Sequence, residues 1–411
     1  MHKKTLDDID VRSKRVLVRL DLNVPLDAGR RVTDETRILA ALPTVRKIID
    51  DGGRAILMSH LGRPSGKPSD RDEFSLAPVA ARLSEHLGRS VAMLPDCTGP
   101  QVASAVGRLR DGDVCVLENL RFHDAETIKD KDAAKDAALK SAKRAFARQI
   151  ADLGDAYVND AFGTCHRDNA SMLTVPQLME GRPRVVGYLV QRELEFLGKA
   201  VSAPRRPFVA ILGGAKVSDK IKVIESLLAR CDSLLVGGAM MFTFSAAEGR
   251  DVGASLVEPD AFDVARTLRQ KAGDKLVLPV DCIAAERIQP DAATITCGLD
   301  VTQHYMGLDI GPQTIEKFRR VLSQAETILW NGPMGVFETR PFDRGTTAIA
   351  QALAEATARG AITIVGGGDS AAAVAQAGLS DKVSHVSTGG GASLEFLEGR
   401  RFAAIEVLDE A

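Results

Sequence analysis

Short, nearly continuous apolar runs alternate along this chain with stretches in which apolar residues recur every three or four positions. Arg15-Val-Leu-Val-Arg-Leu20 reads as a strand, and the spacing over Ile38–Ile49 predicts a helix. Arg54–Ser59 predicts a second strand, Leu76–Leu87 a second helix, and Val114–Leu117 and Tyr157–Asn159 two further strands. The rhythm repeats after residue 200. Phe208–Leu212, Ser233–Val236, Lys275–Val280, Thr327–Trp330 and Ile362–Val365 read as strands, with helical periodicity between most of them. Strands that are apolar on both faces and interleaved with helices predict an α/β fold of parallel sheets covered by helices. In such folds ligands sit beyond the carboxyl ends of the strands.

The chain has 411 residues, longer than a single hydrophobic core usually supports, so two domains are expected. The boundary is expected around residues 182–207. Gly187 to Val201 carries a helical pattern, with Arg182-Pro183 before it and Ala203-Pro204-Arg-Arg-Pro207 after it. A helix between two proline-marked breaks makes a rigid connector. This gives a first domain over 1–183, a connecting helix and hinge over 184–206, and a second domain over 207–393. Residues 125–153 are rich in Asp, Lys and Ala, with Ile128, Leu139, Phe146 and Ile150 sparsely spaced, and predict a solvated helix with one packed face.

Composition narrows the function more than the fold. A net charge of −2 gives no general attraction to nucleic acid or to a membrane surface, and 4% aromatic residues leave little for base stacking. No apolar run approaches a membrane span, and the start, Met1-His-Lys-Lys, lacks the apolar core of a signal peptide. The six cysteines form no Cys-x-x-Cys pair, which points to free thiols in a reducing cytoplasm.

The special residues divide between the halves. Before residue 170 the expected strand ends carry cations and amides: Arg19, Asp21 and Asn23; then Arg37; then His60, Leu61, Gly62 and Arg63; then Asn119 and Arg121; then His166 and Arg167. After residue 210 they carry glycine: Gly213-Gly214 with Lys216 and Lys220; Gly237-Gly238; Asn331-Gly332; Gly366-Gly367-Gly368 with Asp369 and Ser370; and Gly389-Gly390-Gly391. Arginine forks match a phosphate or carboxylate bidentately. Bare backbone N–H groups at helix starts suit nucleotide phosphates. Neither a Walker loop nor a Gly-x-Gly-x-x-Gly dinucleotide fingerprint occurs. Asp369 reads either as a Mg²⁺ ligand beside phosphates or as the N-cap of the following helix. Glu338 is placed to accept from ribose hydroxyls. Asp21, an acid among cations, fits if it accepts a substrate hydroxyl or orients an arginine. An enzyme that moves a phosphoryl group between two ligands fits this division. The competing readings are a two-lobed protein that only binds anions or nucleotides and, disfavoured by the missing fingerprint, a nicotinamide-dependent dehydrogenase.

Val18–Pro25, Met58–Pro64, Leu117–His123, Val158–Thr164, Ala210–Ile221, Met306–Pro312, Trp330–Glu338 and Ser387–Glu395 together resemble the signatures of the phosphoglycerate kinase family, in order and over the whole chain. The resemblance implies two Rossmann-like domains joined by a hinge helix. It implies interconversion of 1,3-bisphosphoglycerate and ADP with 3-phosphoglycerate and ATP, by in-line transfer after hinge closure. It also implies a Mg²⁺-dependent, cytoplasmic monomer whose ligands are small molecules. By position, Asp21, Leu22, Asn23, Arg37, His60, Leu61, Gly62, Arg63, Arg121 and Arg167 would hold the phosphoglycerate. Gly213, Gly214, Lys216, Lys220, Gly237, Gly238, Gly311, Asn331, Glu338 and Gly366 to Ser370 would hold the nucleotide, with Asp369 on Mg²⁺. Arg37, Lys216, Gly367 and Gly390 would act on the transferred group. The family pattern also implies that residues 394–411 return to the first domain. Cys165, Asp168-Asn169 and Tyr305 depart from that pattern.

Overall fold

In the computed structural model, which describes residues 2–411, the N-terminal half builds one six-stranded sheet. Its strands are β1 (Arg15–Leu20), β2 (Arg54–Met58), β3 (Val91–Met93), β4 (Val114–Val116), β5 (Ala156–Asp160) and β6 (Arg184–Val186). They lie in the order β3-β4-β2-β1-β5-β6, and every neighbouring pair is parallel. Val16 to Leu20 are buried one after another because helices cover both faces. The helix Thr36–Asp50 buries Ile38, Ala41, Leu42, Val45, Ile48 and Ile49, a stripe at helical spacing, and these join the β1, β2 and β5 side chains in one core.

The second half starts with β7 (Phe208–Leu212), β8 (Ser233–Val236) and β9 (Leu276–Val277). It continues with β10 (Asp281–Ala285), β11 (Ile295–Gly298) and β12 (Met306–Ile310), then β13 (Thr327–Asn331), β14 (Ile362–Gly366) and β15 (His385–Val386). Six of these form a parallel sheet in the order β15-β14-β13-β7-β8-β9. The other three form a small antiparallel sheet, β11-β10-β12, which the apolar-run pattern does not signal. Its strands are short, and β11 alternates half-buried with exposed positions. The expected strand over 275–280 narrows to Leu276–Val277.

The chain forms two compact units. One runs to Glu195 and takes back Arg401–Ala411; the other is Phe196–Arg400. The helix Tyr188–Ser202 carries the chain from the first to the second. Its first turn is held by Asp160, whose Oδ1 accepts from the Leu189 and Val190 amides at 2.8 and 3.2 Å. The expected connector, 184–206, began too early, because Arg184–Val186 pairs with β5 as the sixth strand. The expected return at 394 also began too early. The helix Gly391–Leu397 stays with the second unit, where Ser226 Oγ donates to the Leu397 carbonyl at 2.7 Å.

The returning tail is stitched into the first unit. Lys3 Nζ donates to the carbonyls of Glu406 and Leu408 and to Glu410 Oε1 at 3.1, 2.7 and 2.6 Å. Asp409 accepts from Arg184 Nε and Nη2 at 3.1 and 2.9 Å, and Asn159 Nδ2 donates to the Ala404 carbonyl at 3.2 Å. The 125–153 segment is largely exposed and packs one face of its main helix. Helix Ala137–Ala151 buries Phe146, Ala147, Ile150 and Ala151, while Leu139 is exposed. Two charged side chains of the segment, Glu126 and Lys143, are also buried.

Candidate active site

The polar residues of the first unit gather at the carboxyl ends of β4, β2, β1 and β5, which are adjacent in the sheet. Arg19, near the end of β1, lies between Met58 of β2 and Asn159 of β5. The turns beyond these strands are tied to one another. Ser59 Oγ donates to the Leu20 carbonyl at 2.8 Å and accepts from the Leu22 amide at 2.9 Å. Asn23 Oδ1 accepts from the Gly62 amide at 2.8 Å, and Arg121 Nη1 donates to the Gly62 carbonyl at 2.6 Å. Asn119 Nδ2 donates to the Leu61 carbonyl at 2.7 Å, and its Oδ1 accepts from the Arg121 amide at 3.0 Å. Leu22, Asn23, Leu61, Gly62 and Arg121 therefore form one knot.

Around that knot the charges are mostly positive. Burial, then the charges of Arg19, Arg121, Arg167 and Arg37, hold the His60 imidazole well below its ordinary 6.5. Burial, then Arg167 and Arg19, lowers the Arg121 guanidinium to about 10, with Arg63 adding to the effect. Arg19 Nη2 lies 3.1 Å from His60 Nδ1. Arginine can only donate, so Nδ1 accepts and the His60 proton sits on Nε2. Arg37 Nη1 pairs with Asp21 Oδ2 at 2.5 Å, while Asp21 Oδ1 is buried with no partner. Arg63 and Arg167 are exposed. Mutually repelling cations held at one place by the fold make an anion site. The Asp168 carboxylate accepts from the Asp130 amide at 2.7 Å.

In the second unit the glycine loops follow β15, β14, β13, β7 and β8, again neighbours in the sheet. Gly213 and Gly214 donate their amides to the carbonyls of Asn331 and Pro333, and Gly238 donates to that of Met334. The loops approach so closely that side chains are excluded. A Cβ on Gly213 would lie 2.0 Å from the Pro333 carbonyl oxygen. Gly238, at φ +67°, would place one 2.4 Å from the Gly214 nitrogen. Gly237 packs on Met334 in the same way. Asn331 Nδ2 donates to the Gly366 carbonyl at 2.9 Å, and its Oδ1 accepts from Lys220 Nζ at 2.7 Å. Burial lowers Lys220 to about 8, opposed by the negative charges of Asp369 and Asp219. Ser370 Oγ accepts from the Gly332 amide at 2.6 Å.

The helix Gly368–Gln376 begins here, with Gly367 as its N-cap and no side-chain cap. Asp369 is therefore not the cap, which removes one of its two readings; it is exposed in the first turn, as is Gly368. Lys216 and Glu338 are also exposed. Gly390 is the N-cap of the helix Gly391–Leu397, beside Ser387 Oγ, which lies 2.6 Å from Ser393 Oγ. Gly311 stands apart from the five loops. It ends the antiparallel strand β12, and its lack of a side chain is required by Asp281, whose Cγ would lie 2.3 Å from a Cβ there.

Arg19 and Asn119, already singled out at strand ends, and Ser59, Glu126 and Ser171, which were not, are buried around the His60 and Arg121 side chains or their turns. Glu126 and Ser171 carry no signal in the sequence, because only tertiary packing brings them together.

A sequence model of the family described as phosphoglycerate kinase matches residues 6–400. The phosphoglycerate kinase of Chlorobaculum tepidum is 55% identical over 414 aligned positions, covering 100% of both chains. That of Rhodopirellula baltica is 52% identical with the same coverage. Among solved structures, the phosphoglycerate kinase of Coxiella burnetii is 39% identical with a TM-score of 0.84, covering 98% of each chain. That of Pyrococcus horikoshii is 31% identical with a TM-score of 0.82, covering 99% of this chain and 98% of that one. With two helix-covered parallel sheets that each gather their polar loops at adjacent strand ends, the chain belongs to the phosphoglycerate kinase family.

Proposed function

We propose that the arginine cluster of the first unit binds the phosphoglycerate and the glycine loops of the second bind the adenine nucleotide, so that this transferase moves a phosphoryl group between 1,3-bisphosphoglycerate and ADP. The observation that carries the first assignment is the neutral His60 among Arg19, Arg37, Arg121 and Arg167, a net positive field at four strand ends. His60 then donates from Nε2, and Arg63, Arg121 and Arg167 neutralise phosphate. The orphaned Asp21 Oδ1 is the acceptor for the hydroxyl of the hydroxy acid, while Oδ2 orients Arg37.

In the second unit the 213–214 and 237–238 loops, whose own amides go to neighbouring carbonyls, keep side chains away, and the uncapped start of the helix Gly368–Gln376 offers the backbone amides that polyphosphate needs. Asp369, exposed in the first turn of that helix and near enough to act on Lys220, has the hard oxygen donors that Mg²⁺ prefers. Bound there with the nucleotide, Mg²⁺ would neutralise phosphate charge. The acceptor in the ATP-consuming direction is a carboxylate already ionised at neutral pH, so no base is required. Catalysis reduces to alignment and charge neutralisation, with Arg37 and Lys216 on the transferred group and the amides near Gly367 and Gly390 assisting. Two ligands on two units must be brought into line for transfer, and the segments that join the units, Tyr188–Ser202 and the crossing at 400/401, are where that motion would be absorbed.

All six cysteines are free thiols, which supports a reducing compartment such as the cytoplasm. No helix among the described residues is long and apolar enough to cross a membrane. A coupled assay tests the function. ATP should appear only when ADP, Mg²⁺ and 1,3-bisphosphoglycerate are all present, and omission of Mg²⁺ should abolish turnover. Turnover that is indifferent to Mg²⁺ would remove the metal role of Asp369, and binding of both ligands without ATP formation would favour a binding protein.

A further inference from the structure

Arg19 is buried inside the first unit, 1% exposed, and its guanidinium is held from both ends. One end faces His60. At the other, Nε donates to Ser171 Oγ at 3.0 Å. Nη1 donates to the Leu20 carbonyl. Ser171 in turn donates its hydroxyl to Glu126 Oε1 at 2.6 Å, and its amide to Glu126 Oε2 at 2.9 Å. Glu126 is fully buried, and Ser171 sits in a single π-helical turn, Ala170–Thr174, whose carbonyl at Ser171 also accepts from the Tyr157 hydroxyl at 2.9 Å. With Glu126 ionised, the donor directions are fixed. Arg19 can only donate, so Ser171 Oγ accepts from it and must send its one proton on to Glu126. The result is an unbroken buried chain, Glu126 to Ser171 to Arg19 to His60, which ends on the imidazole that faces the anion site.

We propose that Glu126 and Ser171 are positioning residues for phosphoglycerate binding: they fix the Arg19 guanidinium, which fixes His60 in the tautomer that donates from Nε2. This rests on the reading of the arginine cluster as the phosphoglycerate site. Glu126 belongs to the segment whose composition looks merely solvated, and its hydrogen bonds reach His60 only through Ser171 and Arg19. Simple electrostatics makes the opposite prediction. A buried carboxylate beside an anion site repels the ligand, so removing it should tighten binding. Loss of positioning should weaken it.

Glu126→Gln keeps size but replaces one acceptor oxygen with a donor that cannot satisfy both the Ser171 amide and hydroxyl. Ser171→Ala leaves Glu126 bound to the Ser171 amide and removes only the link to Arg19, so it is the milder variant for the fold. In the full-length enzyme each variant should raise the KM for 3-phosphoglycerate about tenfold, as loss of one charged hydrogen bond predicts, with the KM for ATP unchanged. The double variant should be no worse than the worse single, because both break the same chain. In ¹⁵N spectra of the imidazole, His60 should lose its fixed Nε2–H tautomer in both variants. Unchanged or lowered KM for 3-phosphoglycerate, additive effects, or an undisturbed His60 signature in folded Ser171→Ala would overturn the proposal. Wild-type protein that forms no ATP would instead overturn the functional reading itself.

Discussion

His60 and Lys220 carry pH predictions of different kinds. His60 is neutral in the folded state, while the unfolded chain takes up a proton near 6.5. A folded value below the unfolded one contributes stability that is complete above pH 6.5 and is lost as the pH falls below it. Urea unfolding at pH 7.5 and pH 5.5 should show the loss, and His60→Gln, which keeps an amide donor, should show less of it. Lys220 is charged below about 8 and loses its proton above that value. ADP affinity should therefore fall as the pH rises through 8 to 9, by roughly tenfold for loss of one charged hydrogen bond. Lys220→Met should bind weakly at both ends and show no such pH step; titration calorimetry reads both. At this scale the sequence was informative where chemistry is unusual for its place. Arginines at strand ends and glycines in tandem stand out in any apolar pattern. Ser171 and Glu126 do not, since a serine and a glutamate are ordinary surface residues until a fold buries them together.

Among the elements, the parallel strands were legible because each is buried on both faces and reads as an unbroken apolar run, as Phe208–Leu212 and Thr327–Asn331 do. The β10–β12 sheet was not, because Ile295–Gly298 lies half in solvent, and Met306–Ile310 is interrupted by Gly307, which packs under Phe242. Glycine loops depend on their neighbours in the sheet more than on their own turns. Gly238→Ala adds a methyl at positive φ and against the Gly214 backbone, and should cost about 2–3 kcal/mol in the second unit. ADP binding should weaken with it. Binding of 3-phosphoglycerate, measured on the same variant, should stay at the wild-type level, because the arginine cluster shares no residue with that loop.

For the whole molecule, the chain's return to the first unit is its structural signature. Phe402, Ile405 and Leu408 are buried there, each worth about 1.5–3 kcal/mol if left exposed. Lys3 and Arg184 also lose all or part of their bonding without Asp409, Glu410 and the carbonyls before them. Deleting residues 401–411 should lower the unfolding temperature of the first unit by at least about 10 °C. ADP affinity should be nearly intact. Phosphoglycerate affinity should fall with the stability, since Phe402 packs on the Phe162 and His166 rings, in the loop that carries Arg167. A truncated chain that unfolds as the full one does would make the tail an incidental terminus. The change of unit between Glu195 and Phe196 falls inside the proline-marked helix, but proline breaks mark where a helix can stop, not where a sheet ends. That is why β6 and residues 394–400 fell on the wrong side of the expected boundaries.

On the proposed assignment the first unit's arginines act on the transferred group while the second unit's loops hold the nucleotide. Arg37 is the residue on which the two assignments separate, since it is paired to Asp21 and half exposed at the site. The decisive measurement is kcat for ATP formation by Arg37→Ala alongside its Kd for ADP. kcat should fall by at least about 10³, the scale of a transition-state arginine in other phosphoryl transfers, with the Kd for ADP within about twofold of wild type. A near-normal kcat, or an ADP affinity that falls in step with it, would remove Arg37 from the transferred group.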